Sequence, residues 1–523
     1  MIIRSIHITN FRCIRDATLN CDALTALVGA NGVGKSTFLQ ALALFYSQKP
    51  SLTSEDICHY KNGEDVEITV TYRNLSLPAK ALFAKYIEND ELAITRIFKY
   101  SNGRTIDTIH GSRLSYPEFA PIRSATAVKD AKPLYAALTG RSEFSDLPAW
   151  QNREAAMAAL DNWEDHHPEL CTRQRDDGQF FGYQSVGGGY LARYSRFVLV
   201  PAVRDAAQDA ADGKSSLFAE LMDLVIRNGL AGDTRIDDLN SEITARYKVI
   251  LESGNASELE RVQSELTQTL QAYIPDAEIK LLWGDVDDVR LPSPRALAKV
   301  GEHGYDSSIE RKGHGLQRAF IMTLLQYLHT VRSSGHANED LADVPDLILA
   351  IEEPELYQHP DRQRHISTVL RGLATITDGS TPSTQVMYTT HSPHFVGLDR
   401  FDSIRLARKV SDGIGPVPTT VIASASLEEV ASQLAGFVDG DPSHFTASSL
   451  RARLQTIMTP WMNEGFFADV VVLVEGEQDR AALLGLAQRN GHDLESIGFA
   501  VIPCMGKRSL DRPLIIGRVH RVL

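Results

Sequence analysis

A glycine-rich stretch near the N-terminus has the spacing of a phosphate-binding loop. It fits the pattern G-x-x-x-x-G-K-[ST] and lies between an apolar run, Leu24–Val28, and an apolar helical pattern. Glycines let successive backbone N–H groups turn toward an anion, and the start of the helix adds partial positive charge. We expect Lys35 to contact the β- and γ-phosphates of ATP and the Ser36 hydroxyl to bind Mg²⁺. The residues predicted to bind nucleotide here are Gly29, Asn31, Gly32, Gly34, Lys35, Ser36 and Thr37.

Two adjacent carboxylates follow a second apolar run, at residues 347–351. Such a run predicts a buried parallel strand, whose carboxyl end can meet a nucleotide held by a neighbouring strand. An ATP hydrolase needs one carboxylate to hold Mg²⁺ and a second to orient the attacking water. We assign Glu352 to the metal and Glu353 to the water.

A third apolar run, at residues 385–388, ends in two threonines, a histidine and a serine. A histidine at the carboxyl edge of a strand can sense the γ-phosphate and position the water that attacks it. We therefore predict a catalytic role for His391.

A second glycine-rich loop, at residues 311–318, precedes an apolar helical pattern. A loop of this kind at a helix N-terminus is another device for binding phosphate. Two such loops far apart in one chain suggest that a nucleotide is shared between two ATPase heads. We expect Gly313, Gly315 and Gln317 to contact the nucleotide of a partner head.

A further carboxylate follows an apolar run near the C-terminus. Val470–Val474 predicts a strand, and Glu475 comes directly after it. An acid in this position can bind Mg²⁺ and activate a water or a 3′-leaving group. Basic residues in the tail could meet DNA phosphate, although a solvated surface is the commoner explanation. They are Lys507, Arg508, Arg512, Arg518 and Arg521, with one acid, Asp511, among them.

The elements that must position these residues belong to a chain of 523 residues, of which 43% are hydrophobic, enough for two or three domains. No run of about 18 apolar residues or signal-peptide pattern occurs, so we expect no membrane span. Five cysteines without a CxxC pair predict reduced thiols in a cytoplasmic protein. A net charge of −14 argues against wholesale coating by nucleic acid but leaves room for a local basic groove.

The pattern of elements divides the chain into four parts. Residues 1–104, with an alternating hairpin pattern and the first glycine loop, are assigned to the N-terminal lobe of an ATPase head. Residues 105–300 are largely helical, for example at 216–227, and predict an insertion. It is interpreted as a dimerisation arm or as an ordinary helical subdomain. Residues 301–465 are assigned to the C-terminal ATPase lobe, and residues 466–523 to a separate domain.

Five motifs together resemble the SMC/RecF-like ABC ATPases, and most closely the OLD (overcoming lysogenization defect) family. In chain order they are IHITNFR, GANGVGKST, KGHGLQR, LILAIEEPELYQHP and YTTHSPHF, and the resemblance covers both ATPase lobes, about half of the chain. It implies an α/β fold: an ABC-type P-loop ATPase head with a helical insertion, followed by a partial Toprim α/β domain. It also implies heads that dimerise around ATP, with Arg12 and Arg15 near the nucleotide. Gly313 stands where these ATPases often carry serine, and its backbone N–H could serve the γ-phosphate.

By the same resemblance, the C-terminal segment looks like the opening of a Toprim domain, the metal-dependent nuclease fold of OLD enzymes. Glu475 matches the invariant Toprim glutamate, which implies catalysis and metal binding, and Asp479 matches an acid that helps to hold a second metal. Lys507, in a glycine–lysine turn, could touch the scissile DNA phosphate. Mg²⁺ is the expected ion, with Mn²⁺ as an alternative. No D-x-D pair follows Glu475, so we expect a shortened domain or one that a partner completes.

These features lead to two main hypotheses. The first is an ATP-regulated, metal-dependent DNA endonuclease of the phage-defence type, a homodimer or higher homo-oligomer, with an operon-encoded partner as a further expectation. The second is an ATPase-only sensor or clamp of the SMC/RecF class with an inactive Toprim segment, which the missing D-x-D pair favours. A transporter ATPase subunit fits less well, because the second glycine-rich loop departs from that class and the chain ends in a Toprim-like segment.

Overall fold

The computed structural model describes most of both predicted ATPase lobes and of the C-terminal segment. The predicted helix at residues 216–227 lies outside the described residues. The described residues are 1–58, 64–101, 103–125, 127–176, 180, 189–202, 234–249, 256–271, 280, 299–302, 304–333, 345–377, 382–411, 418–437, 446–455 and 460–519.

An antiparallel sheet of seven strands begins the fold. The strands run in the order β2-β1-β4-β6-β7-β8, and β5 pairs with β6. The predicted hairpin is confirmed, since Ile6 pairs with Leu19 across β1 and β2. Alternate residues of β4 are buried, as expected for a sheet with one face on the core. The strands are β1 (Ile2–Phe11), β2 (Ile14–Asn20), β4 (Val66–Arg73), β5 (Ile87–Glu88), β6 (Glu91–Ser101), β7 (Arg104–Ser115) and β8 (Thr172–Arg175).

A second sheet of six strands carries the three predicted ATPase motifs. Its order is β15-β14-β3-β13-β12-β9, and every pair except β14–β15 is parallel. Because carboxyl ends of parallel strands meet at one edge, the segments after β3, β12 and β13 converge there. The strands are β3 (Leu24–Val28), β9 (Ser195–Val200), β12 (Asp346–Glu352), β13 (Thr384–Thr389), β14 (Ile404–Val410) and β15 (Thr419–Ala423); β10 (Lys299–Glu302) and β11 (Tyr305–Ser308) form a separate hairpin.

The helix after the first glycine loop, α1 (Lys35–Tyr46), fills the space between the two sheets. It contacts β1 and β4 of the antiparallel sheet and β9 and β12 of the parallel sheet. Its side chains Phe38, Leu39, Leu42 and Phe45 are completely buried. This apolar spacing follows the helical period, so α1 anchors the glycine loop in the main core.

A buried glutamine also joins the two sheets. The side-chain oxygen of Gln385, on β13, accepts a hydrogen bond from the backbone N–H of Ile3 at 2.9 Å. Its amide nitrogen donates to the carbonyl of Ile3 at 2.7 Å and to that of Asp22 at 3.0 Å. Gln385 therefore supplies hydrogen bonds between the two sheets, in addition to the backbone hydrogen bonds within each sheet.

Fourteen further α-helices are described. None of them is long and apolar enough to cross a membrane. They are α2 (Leu77–Leu82), α3 (Ala120–Ser124), α4 (Val128–Thr139), α5 (Arg153–His166), α6 (Tyr190–Tyr194), α7 (Thr234–Val249), α8 (Ala256–Gln271), α9 (His314–Ser333), α10 (Pro360–Leu373), α11 (Leu427–Phe437), α12 (Ala447–Gln455), α13 (Pro460–Glu464), α14 (Glu477–Arg489) and α15 (Asp511–Val519).

The predicted insertion at residues 105–300 is only partly an insertion. Most of β7 and all of β8 fall within residues 105–300, yet both strands belong to the antiparallel sheet. The strand β9, also in this range, is an edge strand of the parallel sheet. The strand β9 joins the head because its apolar residues pair in parallel with β12, about 150 positions later in the chain. The helices α7 and α8 do lie in this range, and Val262 and Leu266 on α8 are exposed.

The C-terminal segment shares a core with the part of the chain before it. Strands β16 (Val470–Val474) and β17 (Phe499–Pro503) pair in parallel, with α14 between them and α15 after them. One buried cluster joins Leu398 and Phe401 to Met462, Ile502 and Ile516 and other apolar residues. The expected boundary between residues 465 and 466 therefore crosses a continuous core.

Candidate functional site

The first glycine loop has the backbone shape that phosphate binding requires. Gly29, Gly32 and Gly34 all have positive φ, with values of 148°, 78° and 104°. A Cβ at Gly29 would overlap the carbonyl oxygen of Ala407, so the loop passes close to β14 only because glycine stands there. Asn31 is exposed at the tip of the loop, and Ser36 and Thr37 lie in the first turn of α1.

The ammonium of Lys35 lies over the glycine loop. It donates hydrogen bonds of 2.9 Å to the carbonyls of Gly29 and Ala30. Burial lowers the pKa of Lys35 to about 8, and the carboxylates of Glu353 and Glu355 oppose that shift. A buried ammonium beside a helix N-terminus and a glycine loop is a set of donors that fits a phosphate anion.

Glu352 is buried at the end of β12 and is held from two sides. It accepts a hydrogen bond of 3.1 Å from the Gln40 amide and one of 3.1 Å from the backbone N–H of Ala202. Burial raises the pKa of Glu352. The acid is thus held beside α1 by Gln40, which lies about one helical turn after the predicted Mg²⁺ ligand Ser36. The metal role of Glu352 stays a prediction.

Gln40 links Glu352 to Arg12 and was not identified from the sequence. Its side-chain oxygen accepts from the Arg12 guanidinium, whose Nε also donates to Asp56 at 2.8 Å. The available signal was the spacing of Ser36 and Gln40, since residues four apart lie on one helix face. Arg12 and Arg15 line one cavity of about 760 Å³. Their place near the nucleotide stays a prediction.

Glu353 and His391 meet at the edge of the parallel sheet. The Nε2 atom of His391 lies 3.9 Å from Oε1 of Glu353, and both side chains are partly exposed. Glu353 has a φ of 44°, and its backbone N–H donates to the carbonyl of Thr389 at 3.0 Å. Burial and the nearby Lys35 lower the pKa of His391, while Glu353 opposes the shift, so the imidazole is neutral near pH 7. An acid and a neutral imidazole therefore face the same space as Lys35.

Two residues that sequence reasoning missed hold this pair in place. Glu355 is buried and accepts a hydrogen bond of 2.6 Å from the backbone N–H of His391. Buried Arg318 donates to the carbonyls of Glu352 and Glu353, both at 2.9 Å. Both residues stand inside motifs that were recognised, but their roles depend on contacts between distant parts of the chain.

The second glycine loop packs on the segment that follows Glu353. His314 stacks on Tyr357, with ring centroids 5.3 Å apart, and the carbonyl of Gly315 accepts from the Gln358 amide at 3.3 Å. Gly313 is exposed just before α9. The Gln317 side chain is buried and donates to the carbonyl of Lys312 at 2.8 Å. Within this chain, Gln317 therefore shapes its own loop, and its contact with the nucleotide of a partner head stays a prediction.

The C-terminal segment brings Glu475 beside the predicted glycine–lysine turn. Glu475 is exposed directly after β16, and its carbonyl accepts a hydrogen bond of 2.7 Å from the N–H of Gly506. Lys507 follows that turn and is exposed. The Asp479 carboxylate accepts from the N–H of Gly476 at 3.1 Å, which caps the start of α14.

The described carboxylates near Glu475 do not form a complete metal site. Among the residues that the structure describes, no three or more histidine, cysteine, aspartate or glutamate side chains are grouped to hold an ion. Glu475 and Asp479 provide two acids, and Asp479 already serves the helix N-terminus. Two metals around an in-line displacement need more ligands than this pair supplies.

Comparison with protein families agrees with this geometry. Residues 1–396 match the family described as "AAA ATPase domain", and residues 466–518 match "Overcoming lysogenization defect protein-like, TOPRIM domain". The chain belongs to the family of the AAA ATPase domain and carries an OLD-like Toprim domain. It is therefore an ATPase with a Toprim domain at its C-terminal end, and the predicted fold class is confirmed.

Two nucleases resemble this ATPase over nearly its whole length. The OLD nuclease of Thermus scotoductus is 23% identical over 99% of this chain and 79% of that protein. The Old nuclease of Escherichia phage P2 is 23% identical over 97% of this chain and 73% of that protein. A solved SMC head domain from Thermotoga maritima aligns with 82% of this chain and 100% of its own, at 12% identity and a TM-score of 0.29.

Proposed function

We propose that this ATPase hydrolyses ATP between two copies of its head and cleaves DNA at its Toprim domain. The observation that carries the proposal is the Glu353–His391 pair, 3.9 Å apart, at the sheet edge where Lys35 lies. An acid that can orient water, a neutral imidazole and a buried ammonium together suit the transfer of a phosphoryl group to water.

Each site residue of the head has its own role in the hydrolysis. The glycine loop and Lys35 bind the phosphates, and Glu353 accepts a hydrogen bond from the attacking water. His391, neutral near pH 7, donates or accepts at the γ-phosphate according to its tautomer. Ser36 and Glu352 would hold Mg²⁺, which would supply positive charge against the phosphates. Gln40 and Ala202 keep the Glu352 carboxylate in place for that contact.

The partner in ATP binding is a second copy of the head. The N-terminus of α9 carries exposed Gly313, where a Cβ would meet no atom within 4 Å. Such a helix N-terminus presents backbone N–H groups and partial positive charge to a γ-phosphate. The exposed apolar side chains on α8, Val262 and Leu266, support a role for that helix in dimer contacts.

DNA is the proposed substrate of the Toprim domain. Two relatives that cover nearly all of the chain are named nucleases, and the Glu475 carbonyl is hydrogen-bonded to the turn at Gly506. The exposed ammonium of Lys507 suits contact with a backbone phosphate. The Toprim domain implies divalent metal use, with Mg²⁺ or Mn²⁺ as the proposed ion. We place this activity in phage defence, under control of the nucleotide bound to the heads.

An ATPase-only clamp is the second candidate. It is favoured by the capping role of Asp479 and by the incomplete set of carboxylates described near Glu475. In that case the Toprim domain does not cleave DNA, and ATP hydrolysis drives only binding and release.

The deciding experiment is a nicking assay with the purified full chain. Supercoiled plasmid is incubated with Mg²⁺ or Mn²⁺, with and without ATP, beside a Glu475→Ala variant. Nicking that the substitution abolishes supports the nuclease. ATP hydrolysis that depends on Glu353, without any nicking, supports the clamp.

A further inference from the structure

The loop that carries His391 is bonded directly to the segment that leads into the Toprim domain. The side-chain amide of Asn463, on α13, donates a hydrogen bond of 3.0 Å to the carbonyl of Pro393. Pro393 lies two residues after His391. Among the described residues, the Asn463 side-chain oxygen is buried and has no hydrogen-bond partner.

The segment after Asn463 packs tightly on both Toprim strands. A Cβ at Gly465 would lie 2.8 Å from the Ile502 side chain on β17 and 3.6 Å from the Val471 side chain on β16. A larger residue here would require the end of the Ile502 side chain to shift, so glycine allows a close approach. The strand β16 then ends at Val474, directly before Glu475. A short path of packed atoms therefore joins Pro393 to Glu475.

Two further hydrogen bonds hold the His391 loop, which is the segment between β13 and Leu398. The hydroxyl of Ser392 donates to the Gln363 side chain at 2.8 Å, and the Tyr388 hydroxyl donates to the carbonyl of Phe395 at 2.6 Å. Downstream, Leu398 belongs to the same buried cluster as Met462 and Ile502. Because packed elements move together rather than deform smoothly, a shift of this loop reaches α13.

We propose that Asn463 is a positioning residue that transmits the nucleotide state of the His391 loop to the strand bearing Glu475. This inference rests on the proposed function, since it concerns regulation of the same Toprim site. The Asn463 side-chain oxygen has no hydrogen-bond partner among the described residues, so it can accept a bond from a backbone N–H that a loop movement brings to it.

The test follows amide hydrogen exchange in the full chain, with and without a non-hydrolysable ATP analogue and Mg²⁺. In the wild type, the analogue changes exchange in peptides covering residues 466–474. In Asn463→Ala, and in Asn463→Leu, which keeps the volume, that nucleotide effect shrinks by roughly 2- to 30-fold. Glu464→Gln, a change at the exposed neighbour on α13, retains the full effect. ATP hydrolysis persists in all three variants.

Three results would overturn the inference. The first is that the analogue leaves exchange of residues 466–474 unchanged in the wild type. The second is a nucleotide effect that survives in both Asn463 variants. The third is that the Glu464→Gln control loses the nucleotide effect as much as the Asn463 variants do. A further check uses His391→Ala: if both residues act in one path, adding Asn463→Ala to it removes nothing more. The nicking assay with Glu475→Ala judges the proposed function separately, because exchange does not require DNA cleavage.

Discussion

Two strand ends in this molecule present carboxylates, and their surroundings differ. At the end of β12, Glu352 and Glu355 are buried, hold protein hydrogen-bond donors and have raised pKa values because of burial. At the end of β16, Glu475 is exposed, and its neighbour Asp479 caps a helix. At the end of β12, which we call the ATPase edge, the chain itself therefore supplies hydrogen bonds that fix the carboxylates. At the end of β16, which we call the Toprim edge, the carboxylates have few hydrogen-bond partners among the described residues.

The helices behind the two edges differ in the same way. The α1 helix is anchored on two sheets, and the buried guanidinium of Arg96 donates to the carbonyls of Phe45 and Ser47 at its end, at 2.7 Å and 2.8 Å. The α14 helix has no buried residue. A rigid support allows precise placement of catalytic groups. We therefore expect the activity of the ATPase edge to depend on the packing of α1, and the activity of the Toprim edge to depend on the ligands that it binds.

The largest effect is expected at the ATPase edge, from Glu353→Gln. The amide keeps the shape of the side chain but loses the charge that accepts a proton, so the turnover of ATP should fall about 10²- to 10⁴-fold. Phosphate-release assays measure turnover, and equilibrium binding of ATP should persist because Lys35 and the glycine loop remain. Glu428→Gln, at an exposed position on α11, is the matched control. Turnover close to the wild type in Glu353→Gln would remove Glu353 from the catalytic step.

A matched pair of leucine substitutions tests the difference in support. Leu42 on α1 is fully buried, and Leu486 on α14 is 59% exposed. Leu42→Ala should lower the free energy of unfolding by about 2–5 kcal/mol, because it leaves a cavity. Leu486→Ala should change it by no more than about 0.5 kcal/mol. Denaturant unfolding of the full chain measures both. An equal loss in the two variants would mean that α14 is covered in solution.

The pH dependence of ATP binding sharpens the account of the ATPase edge. Burial lowers the pKa of Lys35 to about 8, so the nucleotide-free lysine is an ammonium below that pH and becomes neutral above it. Affinity for ATP should therefore be full near pH 7 and fall as pH rises from about 8 to 10, by up to about tenfold per unit. Calorimetric titration measures it. Lys35→Arg stays charged, so a similar fall in that variant would assign the effect to another group.

Local sequence patterns predict part of the ATPase site, but they do not predict the residues whose roles depend on contacts between distant elements. The glycine loop, Glu353 and His391 were predicted because each follows a strand that its local pattern reveals. Gln40 and Arg318 were not, because their roles arise only when α1 and α9 pack beside β12. The strand β9 was assigned outside the head for the same reason, since its partner is distant in sequence. Local periodicity identifies elements, but contacts between distant elements decide which ones complete a site.

The smallest expected effect separates two roles of Asp479 at the Toprim edge. If the carboxylate only caps α14, Asp479→Ala should cost about 0.3–1.5 kcal/mol of stability, and Asp479→Asn should recover it because the amide oxygen still accepts from Gly476. Nicking by the two variants should then match the wild type at a temperature where all are folded. If Asp479 also holds a cation, both variants lose nicking while only the alanine variant loses stability. Thermal unfolding and the plasmid assay, run on the same preparations, distinguish a helix cap from a metal ligand. A loss of nicking in the stable asparagine variant would show that the Toprim edge, like the ATPase edge, uses more than one carboxylate.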